Sequence, residues 1–420
     1  MNLLRPGKLA VVNIGQLVTL AGPSRARVGP EMSNLGLLSD AALLVDNGRV
    51  VATGLYTELR GRIDRETMIV DAEQRLVTPG FVDAHTHLVF AGNRASEFER
   101  RIGGATYQEI AAAGGGIQST VRQTRQASED ELIAVAQTHR DWMLRGGTTT
   151  LEAKSGYGLN QATEIRMLRV LARLSEEGPV RIVPTLLAAH SIPHEFANRR
   201  SEYVRWIIED LIPETASLGL ARYCDAFCDD HAFTVEETRA VLLAARSHGL
   251  ELRLHAEQFR PGTGASLAAE LHATTVDHLE TVTEEALHLL LAAGVQPVLL
   301  PASVFCLGRD QYPPARRMID LGLPVVLATD FNPGSSPAPS MAFTMALASI
   351  QMKMLPAEAL VAATINAAWS LGLGHETGSL EPHKTADFLI HEHDDYRAVV
   401  YYVAAPARPR VFIGGREVTL

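Results

Sequence analysis

Cysteine is scarce. The 420-residue chain carries three, Cys224, Cys228 and Cys306, too few for a disulfide framework, and an odd count fits a reducing compartment and a cytoplasmic protein. Cys224 and Cys228 share one face of a strand-like run and read as core residues. The opening residues, Met-Asn-Leu-Leu-Arg-Pro-Gly-Lys, lack a sustained apolar core, and the apolar run after them is broken by Asn13, Gly15 and Gln16, so a strand is expected there and not a signal. No apolar run is long enough to span a bilayer cleanly: the best, His288 to Gly308, contains Gln296, Pro297, Pro301 and Ser303. Basic residues are outnumbered, 38 Lys and Arg against 48 Asp and Glu, for a formal charge of −10. That balance argues against nucleic acid and anionic membrane as partners, and it requires a local cation wherever a small anionic ligand binds. Internal repeats, low-complexity tracts and charge blocks are absent.

What remains is an ordinary globular composition, 46% hydrophobic and 20% charged, on a chain long enough for one α/β barrel of roughly 250 residues and a smaller companion. From Leu9 to about Val77 the texture is β-rich, in short pieces separated by Gly, Pro and Asn-Gly turns. After Pro79 come eight apolar strand-like runs: Gly80–His85, Thr148–Ala153, Ile182–Ala189, Arg222–Cys228, Leu252–His255, Thr275–His278, Pro297–Leu300 and Pro324–Thr329. Good helix formers at helical spacing, such as Glu131–Gln137 and Val235–Arg246, lie between most of them. Eight alternations with strands buried on both faces predict a parallel (β/α)8 TIM-like barrel over residues 79–374, an open doubly wound sheet being the alternative. From about Gly378 the β texture returns, in Ala386–His391, Val399–Val403 and Pro409–Arg416. Residues 1–78 and 375–420 are therefore expected to build one composite β-domain, a β-sandwich drawn from both chain ends.

A barrel places its chemistry at the carboxyl ends of its strands. His85 and His87 end the first run, and alternation along a strand turns both imidazoles to one side. By itself a His-x-His pair also fits two solvated loop histidines. His190, His255, His278 and Asp330, however, each close a different apolar run, where an unpaired polar group costs a few kcal/mol. Three imidazoles and a carboxylate, His85, His87, His255 and Asp330, suit one divalent ion with room left for a water, whose pKa falls toward about 7 on such an ion.

These residues, with Pro79-Gly-Phe-Val-Asp-Ala-His85-Thr-His87 as an opening signature and Gly378-Ser-Leu-Glu-Pro-His-Lys-Thr-Ala-Asp387 as a closing one, resemble the amidohydrolase superfamily over nearly the whole chain. Four further stretches resemble one branch of it: Thr86–Arg94, Ala113–Arg125 with its Gly-Gly-Gly-Ile-Gln-Ser-Thr-Val-Arg core, Glu152–Gly158 and Asp330–Ser335. That branch opens the cyclic amide of 4-imidazolone-5-propanoate to N-formimidoyl-L-glutamate in histidine degradation. The resemblance implies one divalent metal per subunit, zinc or iron with manganese as a third fit, held by His85, His87, His255 and Asp330. It implies substrate contacts from Arg94, Tyr157, His190, Gln258, Asn332, Gly334 and Ser335, catalytic roles for Asp330, His278 and His190, and a homodimer.

Elementary chemistry agrees with several of these roles. Arg94, on the loop after the metal histidines, can grip a propionate in bidentate fashion. The Gly334-Ser335-Ser336 turn is expected to precede a helix beginning near Ala338 and to offer free backbone amides to an anion, unless serine merely caps that helix. Gly114–Gly116 lacks the Gly-Lys-Ser/Thr of a phosphate loop and reads as a mobile lid carrying Arg122 and Arg125, or else as an inert turn. Lys154 falls where a group bridging two metals is conceivable, though without a second ligand set one metal is simpler. A rival chemistry on such a scaffold is deamination of purine or pyrimidine bases, which usually employs a glutamate three residues after the fifth-strand histidine. Here that residue is Gln258, and Glu257 should face the other way. A non-catalytic assembly protein is a third reading, which the intact ligand set disfavours.

Overall fold

The computed structural model describes residues 7–105, 109, 114–229, 232–403, 405 and 408–419. The N-terminal region forms five strands: β1 (Leu9–Val18), β2 (Leu37–Asp46), β3 (Arg49–Leu55), β4 (Met68–Asp71) and β5 (Leu76–Pro79). The barrel follows, in nine pieces: β6 (Phe81–Asp83), β7 (Thr148–Lys154), β8 (Arg181–Ala189), β9 (Tyr223–Cys228), β10 (Glu251–Leu252), β11 (His255–Ala256), β12 (Thr275–His278), β13 (Gln296–Leu299) and β14 (Val326–Leu327). β10 and β11 are two halves of the fifth barrel strand, both paired with β9. β15 (Phe388–Ile390), β16 (Arg410–Ile413) and β17 (Arg416–Glu417) complete the chain.

The two chain ends meet in one eight-stranded sheet of order β17-β16-β15-β5-β1-β2-β3, with β4 branching onto β1. β15 is the splice, running antiparallel to β5 with Leu389 opposite Thr78. Strand alternation gives it two loyalties. Phe388 and Ile390 join the small sheet's own core, where Phe388 stacks on Phe412 with centroids 4.4 Å apart, while Leu389 belongs to the barrel's core. The Val399–Val403 run does not extend this sheet. It forms a short helix, Ala398–Tyr401, because the Asp395 carboxylate takes the Arg397 backbone N–H and turns the chain just before it; only Val400 of that helix is buried.

The barrel strands are parallel throughout, in the order β6-β7-β8-β9-β11-β12-β13-β14. The wholly buried Thr148–Lys154 shows why such strands read as continuous runs, with helices packed outside them. Those helices begin where the local chemistry allows: Ser128 and Glu131 cap Glu129–Arg145 reciprocally, Thr234 and Glu237 do so for Val235–Ser247, and Asn160 caps Gln161–Glu177. The stretch His288–Gly308 resolves into the end of one helix, β13 and the helix Pro301–Cys306. Among the described residues no helix is long and apolar enough to cross a membrane.

The first and eighth strands are too short to close the barrel by a regular ladder. A seam just beyond them does it instead: Asp330 N–H donates to His85 O at 3.0 Å, and His87 N–H donates to Phe331 O at 2.8 Å. Below the seam the buried Asp83 accepts from Thr329 N–H at 3.0 Å and from Thr329 Oγ1 at 2.6 Å. The residues that lock the barrel are thus the backbone neighbours, or the backbones themselves, of His85, His87 and Asp330.

Two outcomes follow for stability. Phe388→Ala should cost about 3–5 kcal/mol in urea unfolding, the usual range for an aromatic removed from a packed core, and should weaken the sheet that joins both ends. His391, buried against the Thr78 hydroxyl at 2.8 Å, has its pKa lowered from 6.5 to about 3 by burial and by His393. The unfolded chain takes up that proton below about 6.5 while the native protein resists it until near 3, so stability is complete above 6.5 and drains away as pH falls toward 3. Unfolding series from pH 6.5 to 4 should show His391→Phe to be less pH-sensitive than the parent, by up to ~1.4 kcal/mol per pH unit.

Candidate active site at the barrel mouth

His85, His87, His255, His278 and Asp330 come from four strands and converge at the seam end of the barrel. The Asp330 carboxylate lies 3.5 Å from Nε2 of both His85 and His87. The His255 ring is 4.5 Å from that of His85, and the His278 ring is 5.4 Å from that of His255. Two overlapping groups, His85–His87–Asp330 and His85–His255–His278, bring their ligating atoms within 4.8 Å of one another. Asp330 and His278 both adopt left-handed backbone, φ 53° and 83°, a strain of about 1–3 kcal/mol each for residues with a side chain.

The tautomers follow from the partners. His85 Nδ1–H donates to Asp277 Oδ2 at 2.6 Å, and His255 Nδ1–H donates to Asp225 Oδ1 at 3.0 Å. Each imidazole therefore turns its Nε2 into the cluster, and these two buried Nε2 atoms have no hydrogen-bond partner among the described residues. Burial and Lys154 would lower His85, but Asp277 and Asp330 outweigh them and raise its pKa to about 9, so a cation bound here takes the place of a proton. Orphaned buried nitrogens flanked by a carboxylate are what a divalent cation satisfies, and carboxylate-held histidines are the usual support of such an ion. Burial lowers His255 to a pKa of about 3, so its lone pair stays free at neutral pH. Burial would raise the Asp330 carboxyl, but His85 and His87 beside it outweigh that and hold it well below the ordinary range.

A second group rims this cluster. His190 stacks on His87 with centroids 5.1 Å apart, and its Nδ1–H donates to Gly156 O at 3.0 Å; burial and the neighbouring His87 and His255 push its pKa well down. Tyr157 packs 5.3 Å from His190 and 5.7 Å from His87, its hydroxyl kept neutral by burial. Arg94 donates through Nε to Thr120 Oγ1 at 2.9 Å, and its terminal nitrogens have no partner among the described residues. Gly334 is glycine for a steric reason: a Cβ there would stand 2.4 Å from the Arg94 guanidinium. Gln258 is buried, its backbone oxygen accepting from Arg309 at 2.7 Å. The neighbouring Glu257 caps the Ala265 backbone N–H and makes no recorded contact with the histidines.

Two expectations need correction, and a third residue, Lys154, stands apart from any metal pair. The amides of Gly334 and Ser335 are not free, because Asn332 Oδ1 accepts both at 2.8 Å in a local turn; Asn332 Nδ2 in turn donates to Asp330 O and Ser335 Oγ. The helix after that turn begins at Met341, capped by Ser340, and not near Ala338. Lys154 is in no position to bridge metals, since its ammonium is wholly buried among carboxylates. In the glycine-rich stretch, Ala113 lies outside the described residues. Arg122 donates to Gly114 O, and Arg125 donates to Gly158 O and pairs with Glu195, so both arginines anchor loops.

Sequence reasoning missed the supports. Asp225 and Asp277 were legible in principle, as charges inside the apolar runs Tyr-Cys-Asp-Ala-Phe-Cys and Thr-Val-Asp-His. Glu164 was not, for it looks like a first-turn helix residue. In fact it is wholly buried and accepts from the backbone N–H groups of Gly156, Gly158 and Leu159, building the loop that presents Tyr157. Glu280, 3.3 Å from His278 Nδ1, is likewise local and invisible to pattern.

A closed parallel barrel with a histidine–carboxylate cluster at its carboxyl end defines a metal-dependent hydrolase, and the chain belongs to the amidohydrolase family, whose model matches residues 76–418. Within that family it sits among the imidazolonepropionases. It is 52% identical over 407 residues to the imidazolonepropionase of Solibacter usitatus, covering 97% of each chain, and 45% identical over 419 residues to that of Geobacillus kaustophilus, covering 99% of this chain and 98% of the relative. Among solved structures, 5-methylcytosine deaminase from Klebsiella pneumoniae matches with a TM-score of 0.73 at 15% identity, over 98% of this chain and 97% of that one. An adenosine deaminase from Xanthomonas campestris with bound zinc matches with a TM-score of 0.69 at 20% identity, over 98% and 93%. At such identities these two share the fold.

The loop carboxylate gives a direct test of the site's construction. Glu164→Gln keeps the shape but turns one acceptor into a donor facing backbone N–H groups, and should cost about 1–3 kcal/mol for each donor left without a partner, read by chemical unfolding.

Proposed function

We infer that the chain hydrolyses the ring amide of 4-imidazolone-5-propanoate to N-formimidoyl-L-glutamate. What carries the reading is a cradle of two orphaned imidazole nitrogens and a carboxylate beside an arginine with a free guanidinium end, in a chain about half identical over its length to imidazolonepropionases. His85, His87, His255 and Asp330 would hold the divalent ion, and three imidazoles with one carboxylate favour zinc or iron. When bound there, the ion supplies a Lewis acid and lowers the pKa of a water toward about 7.

The chain's own residues supply the rest. Arg94 takes the substrate propionate through its terminal nitrogens, its Nε already committed to Thr120. Tyr157 and His190 wall the ring, and His190, with its proton on Nδ1, offers Nε2 as an acceptor for a ring N–H. Asp330, kept ionised by its histidine neighbours, accepts a proton from the attacking water and delivers it to the departing ring nitrogen as the carbon–nitrogen bond breaks. Ser335 Oγ, 3.4 Å from Asp330 Oδ2, steadies that carboxylate. His278, protonated on both nitrogens, donates Nδ1–H to the Glu280 carboxylate and Nε2–H to the carbonyl oxygen as negative charge develops on it. Gln258 stands where a deaminating relative would need a carboxylate to shuttle protons, and an amide cannot do so.

The direct experiment is ring opening of 4-imidazolone-5-propanoate by metal-loaded enzyme; no consumption by fully loaded protein sinks the reading. Arg94→Met should lower kcat/KM by about 10- to 100-fold, chiefly through KM, as expected for one charged hydrogen-bonded contact. Gly334→Ala should act in the same direction by displacing the guanidinium. His255→Ala should abolish stoichiometric metal binding, measured by elemental analysis after gel filtration.

A further inference from the structure

Lys154 is, with Arg253, one of two cations wholly buried among the described residues, and the hydrolysis leaves it unused. Its Nζ lies 2.8 Å from Glu152 Oε1, 2.9 Å from Asp225 Oδ2 and 3.8 Å from Asp277 Oδ2, with every one of these side chains fully shielded from solvent. Asp225 and Asp277 are the carboxylates that take the Nδ1–H of His255 and His85. The ammonium, from the second barrel strand, thus stands between carboxylates of the fourth and sixth. Arg253, equally buried, reaches Asp277 Oδ2 at 3.5 Å but is committed to the backbone oxygens of Ala84 and Ser370. Among the described residues, only Lys154 makes an ion pair with both histidine-bound carboxylates.

We propose that Lys154 is a positioning residue for the metal site: it ties Asp225 to Asp277 across the barrel interior and so aims the Nε2 atoms of His255 and His85 at one point. The physical reason is repulsion. Two carboxylates on strands that flank the fifth, in a medium far less polar than water, turn away from each other unless a cation sits between them. Each holds its histidine by a single hydrogen bond, so a carboxylate that turns carries the imidazole with it. Outer supports of this kind typically govern metal affinity by 10- to 100-fold. Glu152 meets the same ammonium through Oε1 and touches no imidazole, while its Oε2 accepts the Thr86 backbone N–H at 3.3 Å, between His85 and His87.

The proposal rests on the reading of His85 and His255 as metal ligands, and the experiment separates the two. Zinc affinity of the whole protein is measured by competition with a chromophoric chelator, beside the unfolding free energy of the metal-free form. Lys154→Met and the milder Lys154→Gln should bind zinc 10- to 100-fold more weakly than the parent. In the metal-free parent, proton NMR should show exchange-protected, downfield Nδ1–H signals assigned to His85 and His255, and both should broaden or vanish in the Lys154 variants. The Lys154 ammonium signal of 15N-lysine-labelled parent protein should also move on zinc addition, which decides the matter even if neither variant folds. Undiminished zinc affinity in a folded Lys154 variant, or an ammonium signal indifferent to zinc, overturns the proposal. Absence of zinc binding by the parent itself would instead overturn the metal-site reading.

Discussion

A dry barrel interior tolerates ions only in mutually compensating sets. Glu152, Asp225 and Asp277 face Lys154 and Arg253 in a space closed to solvent, and each of these charges alone would carry a desolvation cost of several kcal/mol. Asp225 meets Lys154 through Oδ2 and His255 through Oδ1, while Asp277 meets Lys154, Arg253 and His85 all through Oδ2. In the arrangement proposed above, the imidazoles take their orientation from these charges below them. The same logic continues upward, where the orphaned nitrogens and the ionised Asp330 form a site whose electrostatic balance is completed by a cation.

Closure of the fold and assembly of the site are the same event at the junction of first and eighth strands. The backbone bonds from Asp330 N–H to His85 O and from His87 N–H to Phe331 O hold the seam, and three of those four residues are the proposed metal ligands. This shared duty explains why Asp330 is held in left-handed backbone: the chain must reverse there to reach the seam while turning its carboxylate toward both histidines. It also explains why the Asn332 turn uses its amides internally. Fixing that turn fixes Gly334 against Arg94, and hence the place where an anionic guest is gripped.

Much of this was legible from the chain alone. Eight apolar runs with titratable residues at their ends announce a barrel and a site, because such residues recurring at the ends of separate buried strands point to one shared place. His85, His87, His255 and Asp330 are legible in that way, whereas Arg94 comes from the family resemblance, supported by the need of an acidic protein for a local cation. What stayed hidden has a common character. Lys154, Glu164 and Thr120 act through partners far away in sequence or through backbone amides, and no periodicity marks such a contact. The Val399–Val403 run misled because β-branched residues favour strands only where a neighbouring edge is available, and a side-chain-capped turn sends this one elsewhere. The amides of Gly334 and Ser335 misled because a nearby asparagine can claim backbone donors that a sequence pattern leaves apparently vacant.

The splice of β15 against β5 has a consequence in time. Roughly 300 residues separate the two strands, and at the usual synthesis rate of about 5–20 residues per second the earlier one waits on the order of fifteen seconds to a minute for its neighbour to emerge. During that interval an apolar edge strand is bare, next to a barrel that has not yet acquired its eighth stave. A growing chain of this design is therefore most in need of chaperone protection late in translation, and a ribosome stalled before Phe388 would release a product able to pair with the wrong edge.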